Sequence, residues 1–209
     1  MLTVALPKGR IAEDTLAIFE TIFGERFVFD DRKLILETPN FKFLLVRNQD
    51  VATYVYHQAA DIGVVGLDTI EEQGLDVVRM LNLQRGRCKV AIGMRKGETL
   101  DLSKPELKVA TKMVNITKRY FAERAVAADI IKLYGSIELA PLVGLADMIV
   151  DIVETGSTMK QNGLEVVEEI MESTTYLIAN KNSFFEKKAE VLAIYEKINA
   201  LIQNDLKQR

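Results

Sequence analysis

Apolar and polar residues alternate along this chain in short blocks that repeat one order: an apolar run, a polar turn, then a stretch with apolar residues at helical spacing. Such runs indicate buried strands, and the amphipathic stretches indicate helices packed on a sheet, so the pattern predicts an α/β fold. The predicted strands are residues 2–6, 26–29, 33–37, 41–46, 60–66, 77–83, 88–94, 107–111, 129–133 and 148–153. The predicted helices are residues 11–23, 51–58, 69–73, 114–124 and 139–143.

The C-terminal part of the pattern is less regular. After Gly163, β-branched residues are frequent and no helical stripe forms, so we expect one long or broken strand that returns the chain to its first half. Ser183 is expected to begin the last helix, with Glu186 completing a capping box. The apolar stripe of this helix is interpreted as core or as subunit interface. The stripe consists of Val191, Leu192, Ile194, Tyr195, Ile198, Leu201 and Ile202.

Two segments of the chain resemble each other. Residues 57–69 and residues 143–156 both place Ala-Asp before an apolar strand, and both strands end at a polar turn that contains glycine. This echo predicts two lobes of similar design, each presenting a strand end to a common cleft. Open α/β sheets bind ligands outside the carboxyl ends of their strands, so we expect the ligand there.

The strongest chemical signal follows the predicted strand 148–153. The turn after it consists of Glu154, Thr155, Gly156, Ser157 and Thr158. Its glycine lets the backbone approach an anion, and its N–H and hydroxyl groups can donate to phosphate oxygens. Asp151 and Glu154 repel phosphate but suit ribose hydroxyls or a Mg²⁺ ion shared with a diphosphate. The turn favours a sugar phosphate, and its alternative is an ordinary helix-capping turn.

Several further residues have a functional and a structural interpretation. Lys8, Gly9 and Arg10 lie between a strand and a helix, where they form either an anion site or a solvated basic turn. A second set lies at other strand or helix ends: Arg32, Arg47, Asp50 and Asp68. In the structural interpretation, the two aspartates are helix N-caps and Arg32 forms a surface ion pair with a neighbouring aspartate.

Composition excludes several classes of protein. The 209 residues are 48% hydrophobic and 27% charged, with a net charge of −3 and a pI near 5.4, which is typical of a soluble globular protein and argues against a nucleic-acid surface. One cysteine, Cys88, excludes an internal disulfide, and one histidine, His57, argues against a His/Cys zinc site or a Ser-His-Asp triad. Without an apolar leader or an 18-residue apolar run, we expect a cytoplasmic protein.

At this point the motifs resemble a known family. Glu138, Gly144, Asp147, Asp151 and the run 155–159, at these spacings, are similar to the signature of the ATP phosphoribosyltransferases, which catalyse the first step of histidine biosynthesis. The resemblance runs from residue 1 to the end of the chain. It also includes residues 6–10, 32–34, 47–51, 60–63 and 66–68.

The resemblance implies a fold of two α/β lobes, similar to that of type II periplasmic binding proteins, with the active site in the cleft between them. Lobe I is expected to comprise residues 1–89 and 176–209. Lobe II is expected to comprise residues 90–175 and to carry the loop that binds phosphoribosyl pyrophosphate.

The implied reaction is attack by N1 of the adenine of ATP on C1 of the ribose of phosphoribosyl pyrophosphate, which releases pyrophosphate with the help of Mg²⁺. Adenine N1 has a free lone pair, so the reaction needs no strong general base and the scarcity of histidine is no obstacle. The demand is for positioning and for cations that stabilise the departing pyrophosphate.

The resemblance and this chemistry together give each candidate residue an expected role. The expected catalytic cations are Lys8, Arg32 and Arg47. The expected contacts to phosphoribosyl pyrophosphate are Asp151, Glu154, Thr155, Gly156, Ser157 and Thr158. The expected contacts to ATP are Lys8, Gly9, Arg10, Asp50 and Asp68. Mg²⁺ is expected to be held mainly by substrate phosphates, with Asp151 or Glu154 as candidate ligands.

The resemblance also implies partners. Because the chain ends directly after the last predicted helix, it is similar to the short form of the family, which works with a regulatory subunit related to histidyl-tRNA synthetase. We expect a hetero-octamer with that subunit and a homodimer alone, with no nucleic-acid or membrane partner. The last helix and the strands of residues 34–45 are the candidate docking surfaces.

Two other classes share the expected fold. An exported solute-binding protein would need a signal peptide and would have no use for paired acids beside a phosphate loop. An effector-binding domain would normally accompany a DNA-binding module, and no helix-turn-helix segment or basic face stands out here.

Overall fold

The computed structural model describes residues 1–30 and 32–207 of the chain. The chain forms two compact units. Unit 1 comprises Met1–Gly86 and Thr174–Arg209, and unit 2 comprises Arg87–Ser173.

The unit boundaries lie a few residues before the expected ones at 89 and 175. Strand pairing explains the difference: Cys88 is paired with Ser173 in the sheet of unit 2, whereas Thr175 is paired in the sheet of unit 1. The chain therefore passes into unit 2 just before the strand that begins at Cys88, and it returns to unit 1 between the strand that ends at Ser173 and the strand that begins at Thr175.

The strands are β1 (Leu2–Pro7), β2 (Ile35–Glu37), β3 (Phe41–Val46), β4 (Ile62–Gly66), β5 (Val78–Asn82), β6 (Cys88–Arg95), β7 (Leu107–Thr111), β8 (Ala128–Lys132), β9 (Met148–Val153), β10 (Leu164–Ser173) and β11 (Thr175–Ala179). The helices are α1 (Arg10–Phe23), α2 (Val51–Tyr56), α3 (Leu67–Gln73), α4 (Val114–Glu123), α5 (Leu139–Leu142), α6 (Ser157–Gln161), α7 (Lys181–Glu186) and α8 (Lys188–Lys207), with a 3-10 turn at Asn48–Asp50. Within residues 1–30 and 32–207, no helix is both long and apolar enough to span a membrane.

The sheet of unit 1 has six strands in the order β2-β3-β1-β4-β11-β5. Strand β1 pairs in parallel with β3 and with β4, while β2, β5 and β11 run antiparallel to their neighbours. The predicted α/β fold is confirmed. Of the two alternatives for the returning segment, one long strand or a broken one, the structure has the broken one, as β10 and β11.

Both faces of this sheet are buried, which explains its nearly continuous apolar strands. Val4 and Leu6 of β1 pack in the same core as α1 and α8, whereas Ala5 packs in the core that contains α2. The apolar stripe predicted for the last helix belongs to the first of these cores. Its fully buried members are Val191, Ile194, Ile198 and Ile202. The stripe is therefore covered by unit 1 itself.

The predicted strand at residues 26–29 is wrong, since this segment forms no strand. Its apolar alternation has another cause. Phe27 is buried against the rings of Phe19 and Phe43, with ring-centroid distances of 6.3 and 5.0 Å. The Phe27 N–H donates to the Glu20 carboxylate at 2.9 Å. The segment thus packs Phe27 into an aromatic cluster and does not pair with any strand of the sheet in the described part of the chain.

Of the three predicted helix caps, Asp50 does occupy the N-cap position of α2, but its side chain makes no capping hydrogen bond. The other two predictions are wrong. Helix α3 begins at Leu67, so Asp68 lies inside its first turn. The cap near residue 183 belongs to Asn180, whose side chain accepts from the Ser183 N–H at 3.0 Å. Asn180 also donates to two backbone carbonyls of unit 1, so it ties α7 to the body of the unit as well as capping it.

The sheet of unit 2 has five strands in the order β10-β6-β9-β7-β8. Strands β7, β8 and β9 are parallel, and β6 runs antiparallel to both of its neighbours. Helix α4 packs on one face through Ile116, Tyr120 and Phe121. Met159 of α6 and Ala140 of α5 pack on the other face. Unit 2 is therefore a smaller version of the same three-layer arrangement.

The sequence echo corresponds to a shared structural device. In unit 1, the Asp61 N–H donates to the Thr3 carbonyl at 2.9 Å, and the Thr3 N–H donates back to the Asp61 carboxylate at 2.8 Å. In unit 2, Asp147 and Lys108 form the same reciprocal pair, with both distances 2.8 Å. Each aspartate thus links the starts of two parallel strands, β1 with β4 and β7 with β9.

Asp61 has two further partners. Its side chain accepts from the Ser183 hydroxyl at 2.7 Å and from the Lys187 ammonium at 2.8 Å, and the residue is only 5% exposed. Burial alone would raise the pKa of Asp61, but the hydrogen bonds from Lys187, the Thr3 N–H and Ser183 outweigh it and lower the pKa below its ordinary value of 3.8. The charged carboxylate therefore stabilises unit 1.

We predict that Asp61→Asn lowers the free energy of unfolding by about 2–4 kcal/mol, because it leaves Lys187 facing a neutral amide and disturbs three hydrogen bonds. Asp76→Asn is the matched control, since Asp76 pairs with Lys181 on the surface and its loss should cost less than about 1 kcal/mol. Urea unfolding of the three proteins measures the difference. Equal losses in the two variants would show that the Asp61 cluster contributes no more than a surface pair.

The pH dependence gives a second test. A carboxylate with a lowered folded-state pKa stabilises fully above its unfolded-state pKa, and the contribution is lost as pH falls through the folded-state pKa. The gap in unfolding free energy between wild type and Asp61→Asn should therefore be constant above about pH 5 and shrink below about pH 4. A gap that widens on acidification contradicts the assignment.

Candidate active site

The carboxyl ends of β1, β3 and β4 lie at one edge of the sheet of unit 1, because β1 pairs in parallel with both neighbours. Residues 8–10, 47–50 and 67–69 follow these three strands. The Lys8 N–H donates to the Val46 carbonyl at 3.0 Å, which joins the first two segments. The structure thus brings together segments far apart in sequence at the kind of edge where open α/β sheets bind ligands.

Gly9 forms the turn from β1 into α1. Its φ of 97° and ψ of −154° fall in a region that is essentially restricted to glycine. Its carbonyl accepts from the N–H groups of Ala12 at 2.9 Å and Glu13 at 3.2 Å, which starts the helix. Lys8 and Arg10 are exposed on either side of this turn. The glycine is required by backbone conformation, since a Cβ at this position would meet nothing within 4 Å.

Arg47, Asp50 and Arg32 are also exposed. Arg47 directly follows β3, and Asp50 ends the 3-10 turn that leads into α2. Arg32, with a left-handed φ of 60°, precedes β2, and Ile35 of that strand lies opposite Leu44 near the end of β3. The predicted cations of unit 1 are therefore on segments at or near one edge of the sheet in a protein of net charge −3, where they favour anions.

Asp68 has a different environment from the other candidates. It is only 5% exposed, and its carboxylate accepts from the Thr69 hydroxyl at 3.3 Å. The Asn48 amide donates to the same Thr69 oxygen at 3.1 Å, so the ends of β3 and β4 are joined by a polar chain. Asn48 Oδ1 is buried and is without a hydrogen-bond partner among the described residues. Asp68 is thus placed to orient this network more than to face solvent.

The carboxyl edge of the sheet of unit 2 is formed by β7, β8 and β9. The predicted phosphate loop follows β9, and Asp151 lies within that strand. Gly156 has a left-handed φ of 76° and is the N-cap residue of α6, which begins at Ser157. The Thr155 hydroxyl donates to the Ser157 hydroxyl at 3.0 Å and accepts from the Ser157 N–H at 3.4 Å. The loop is therefore partly ordered by its own hydroxyls.

The polar groups of this loop point to an oxygen-rich ligand. Glu154, Thr155, Ser157 and Thr158 are exposed, whereas Met159 directly after them is buried and anchors α6 on the sheet. A row of exposed hydroxyl donors on a fixed turn matches the acceptor oxygens of a phosphate group.

Lys112 of unit 2 is a candidate site residue that the sequence analysis did not identify. The Lys112 ammonium contacts Asp151 Oδ1 at 3.0 Å, and their side chains are 35% and 16% exposed. Lys112 follows β7 just as Lys8 follows β1, and each strand is the parallel neighbour of the strand that carries an echo segment. Lys112 lies outside both echo segments, so the pairing of β7 with β9 is what places it beside Asp151.

The described residues contain no cluster of three or more His, Cys, Asp or Glu side chains able to hold a metal ion. Asp151 is paired with Lys112, and Glu154 is an exposed loop residue.

These features define a class: a protein of two α/β units in which each sheet presents polar side chains at its carboxyl edge. Solved structures share this fold. The periplasmic aliphatic sulphonate binding protein SsuA from Escherichia coli matches with a TM-score of 0.59 over 99% of this chain and 71% of its own, at 13% identity. At that identity the likeness establishes the fold alone, which is that of type II periplasmic binding proteins.

Closer relatives identify the family. The sequence model of ATP phosphoribosyltransferase (HisG) matches residues 47–200. An ATP phosphoribosyltransferase from Sulfurimonas denitrificans is 80% identical over 207 residues, which cover 99% of both chains. The ATP phosphoribosyl transferase (HisG:HisZ) complex from Thermotoga maritima contains a chain that matches with a TM-score of 0.87 and 34% identity over 98% of this chain and 100% of its own.

The chain belongs to the ATP phosphoribosyltransferase family. Its function is transfer of the phosphoribosyl group of phosphoribosyl pyrophosphate to N1 of the adenine of ATP, a pentosyltransferase reaction that begins histidine biosynthesis. Enzymes of the family need a divalent metal ion. The resemblance found in the sequence, and the fold that it implied, are confirmed.

The glycines that flank α6 provide a test of the phosphate loop. Gly156 and Gly163 have φ values of 76° and 72°, and neither would meet an atom closer than 3.8 Å through an added Cβ. Alanine at either position should cost about 1–2 kcal/mol of stability from backbone strain. Only Gly156→Ala should also weaken the binding of phosphoribosyl pyrophosphate, by about tenfold, because only Gly156 lies in the loop. Calorimetric titration measures both affinities, and equal affinities in the two variants would contradict the assignment.

Proposed function

We propose that the carboxyl edge of unit 2 binds phosphoribosyl pyrophosphate. The supporting observation is the ordered turn with a left-handed glycine that directly follows β9, with exposed hydroxyls next to it. In this proposal Thr155, Gly156, Ser157 and Thr158 bind the 5′-phosphate. Asp151 and Glu154 accept hydrogen bonds from the ribose hydroxyls, for which a carboxylate is the matching acceptor.

The carboxyl edge of unit 1 is assigned to ATP and to the departing pyrophosphate. Lys8, Gly9 and Arg10 offer cations and a helix start to the phosphates of ATP, and α1 is long enough to contribute a full macrodipole. Asp50 is exposed and suits the hydrogen-bond donors of the nucleotide, while Asp68 acts by orienting Thr69 and Asn48. Lys8, Arg32 and Arg47 are the cations assigned to the pyrophosphate.

The assigned residues match the demands of the reaction. Adenine N1 attacks with its own lone pair, so the chain must supply position and charge stabilisation and no general base. As the bond from C1 to pyrophosphate breaks, negative charge grows on the leaving group and positive charge grows on the ribose. Exposed arginines stabilise the first, and the carboxylates Asp151 and Glu154 stabilise the second.

The divalent ion is assigned as Mg²⁺. In this proposal a diphosphate supplies most of its oxygen ligands, and Asp151 or Glu154 supplies the remainder. When bound, the ion neutralises charge on the pyrophosphate as it departs.

The chain is assigned to the short form of the family. In support, it covers 100% of the HisG chain of the Thermotoga maritima complex with HisZ. By this analogy it works in the cytoplasm with a regulatory subunit related to histidyl-tRNA synthetase, as a hetero-octamer, and is a homodimer when alone. Of the two candidate docking surfaces, the edge strand β2 is favoured, since Leu34 and Ile35 are 48% and 49% exposed, whereas the stripe of α8 is buried.

Pyrophosphate release tests the activity directly. Purified chain mixed with ATP, phosphoribosyl pyrophosphate and Mg²⁺ should release one pyrophosphate per phosphoribosyl-ATP formed. The reaction should stop when the metal ion is removed by a chelator and resume when Mg²⁺ is restored. Release without ATP at the same rate would indicate hydrolysis and contradict the transfer.

Arginine-to-alanine variants test the leaving-group role. Arg32→Ala and Arg47→Ala should each lower kcat by an amount equivalent to about 2–4 kcal/mol, with a smaller effect on KM, because the contact strengthens in the transition state. Arg26→Ala, another exposed arginine of unit 1, is the control and should leave kcat unchanged. A normal kcat with a raised KM for ATP in either variant would assign that arginine to nucleotide binding.

Histidine titration tests the regulatory assignment. The isolated chain should turn over without inhibition by histidine, because control is assigned to a separate subunit that shifts a conformational equilibrium. Adding the synthetase-like subunit should change the activity and make it sensitive to histidine. Tight inhibition of the isolated chain, competitive with neither substrate, would show a histidine site on this chain.

A further inference from the structure

The Lys112–Asp151 ion pair is not explained by stability alone. Both side chains are partly exposed, and such pairs contribute little to the free energy of unfolding. Its position is nevertheless tightly fixed. The hydroxyl of buried Thr111 donates to the Val150 carbonyl at 2.6 Å and accepts from the Met113 N–H at 2.8 Å. The backbone on both sides of Lys112 is thereby held against β9.

The geometry at Asp151 leaves room for a ligand. Among the described residues, the Lys112 ammonium and the Ile152 N–H both contact Oδ1, at 3.0 and 2.8 Å. Oδ2 is the oxygen left to accept from a ribose hydroxyl. A carboxylate oxygen is a strong acceptor for such a hydroxyl.

An ionised carboxylate creates a conflict at this edge. The loop that follows β9 is assigned to a phosphate, and two anions close together repel each other strongly where water is excluded. The cations assigned to the substrates, Lys8, Arg10, Arg32 and Arg47, all belong to unit 1. Within unit 2, Lys160 lies in the last turn of α6, whereas Lys112 is the residue whose ammonium contacts Asp151.

We propose that Lys112 is a specificity-determining residue for phosphoribosyl pyrophosphate: its ammonium compensates the negative charge of the Asp151 carboxylate, so that one strand edge accepts both the hydroxyls and the phosphate of the sugar. The inference rests on the proposed function of this edge and adds a residue and a role to it. Without Lys112, the unpaired carboxylate repels the phosphorylated sugar. Without either charge, the repulsion is gone but the hydroxyl contact is weaker.

Direct titration of the protein with phosphoribosyl pyrophosphate, in the absence of ATP, tests the role of Lys112. Lys112→Gln should weaken binding about 10- to 100-fold, as expected for loss of a charged partner, and Lys112→Arg should restore most of the affinity. Lys108→Gln is the matched control, since Lys108 lies on the same strand, is exposed and uses only its backbone to bond Asp147. It should change nothing.

A double-mutant cycle tests the mechanism. Adding Lys112→Gln to Asp151→Asn should weaken binding much less than it does in the wild type, because no negative charge then remains to be compensated. Thermal midpoints and KM for ATP at saturating phosphoribosyl pyrophosphate should be unchanged in Lys112→Gln, whereas a merely structural role would move them.

Unchanged affinity in Lys112→Gln, strictly additive losses in the cycle, or equal losses for both substrates would each overturn the proposal. Failure of the wild-type protein to bind phosphoribosyl pyrophosphate would instead contradict the proposed function of the edge, so the two failures are distinguishable.

Discussion

Parallel strand pairing determines where the candidate site residues of both units lie. In unit 1, β1 is parallel to β3 and β4, and in unit 2, β7 is parallel to β8 and β9. Parallel neighbours end at the same edge, so turns that are distant in sequence meet there. In each unit an aspartate fixes the start of two of these strands by reciprocal hydrogen bonds, Asp61 with Thr3 and Asp147 with Lys108. Because these hydrogen bonds fix the register of two parallel strands at their starts, they also fix which residues lie together at the carboxyl ends of the same strands.

The two edges differ in charge. Unit 1 presents exposed cations on turns, as expected for a site that receives phosphates from solution. Unit 2 presents hydroxyls, a left-handed glycine and a carboxylate paired with a lysine. In the proposed function this difference matches the chemistry of the substrates, because a ribose carrying a phosphate needs both acceptors for its hydroxyls and donors for its phosphate. Because the whole chain has a net charge of −3, an anionic substrate can be attracted only by such local groups of positive charges and hydrogen-bond donors.

Much of this arrangement could be predicted from local pattern. The strands at residues 41–46, 107–111 and 148–153 have the bounds that the apolar runs indicated, and the loop after the last of them was found from its glycine and hydroxyls. Failures came where long-range contacts decide. Phe27 has the local pattern of a strand residue, but its ring packs against Phe43 in an aromatic cluster. Asp68 has the local pattern of a helix cap, but it lies in the first turn of α3 and its carboxylate accepts from the Thr69 hydroxyl. Lys112 has no local signature, since its role depends on a strand about forty residues away.

Hydrogen exchange of backbone amides tests whether the carboxyl edge of unit 2 binds the ribose and 5′-phosphate of phosphoribosyl pyrophosphate while the carboxyl edge of unit 1 binds ATP and the departing pyrophosphate. Phosphoribosyl pyrophosphate alone should slow exchange in residues 154–159 and 111–113, since a ligand bound there would suppress the local opening that exchange requires. ATP should slow exchange in residues 8–13 and 47–51. Exchange at the opposite edges of the sheets, near Asp61 and Asp147, should be unaffected by either substrate. Protection of residues 8–13 by phosphoribosyl pyrophosphate with none at 154–159 would contradict the account.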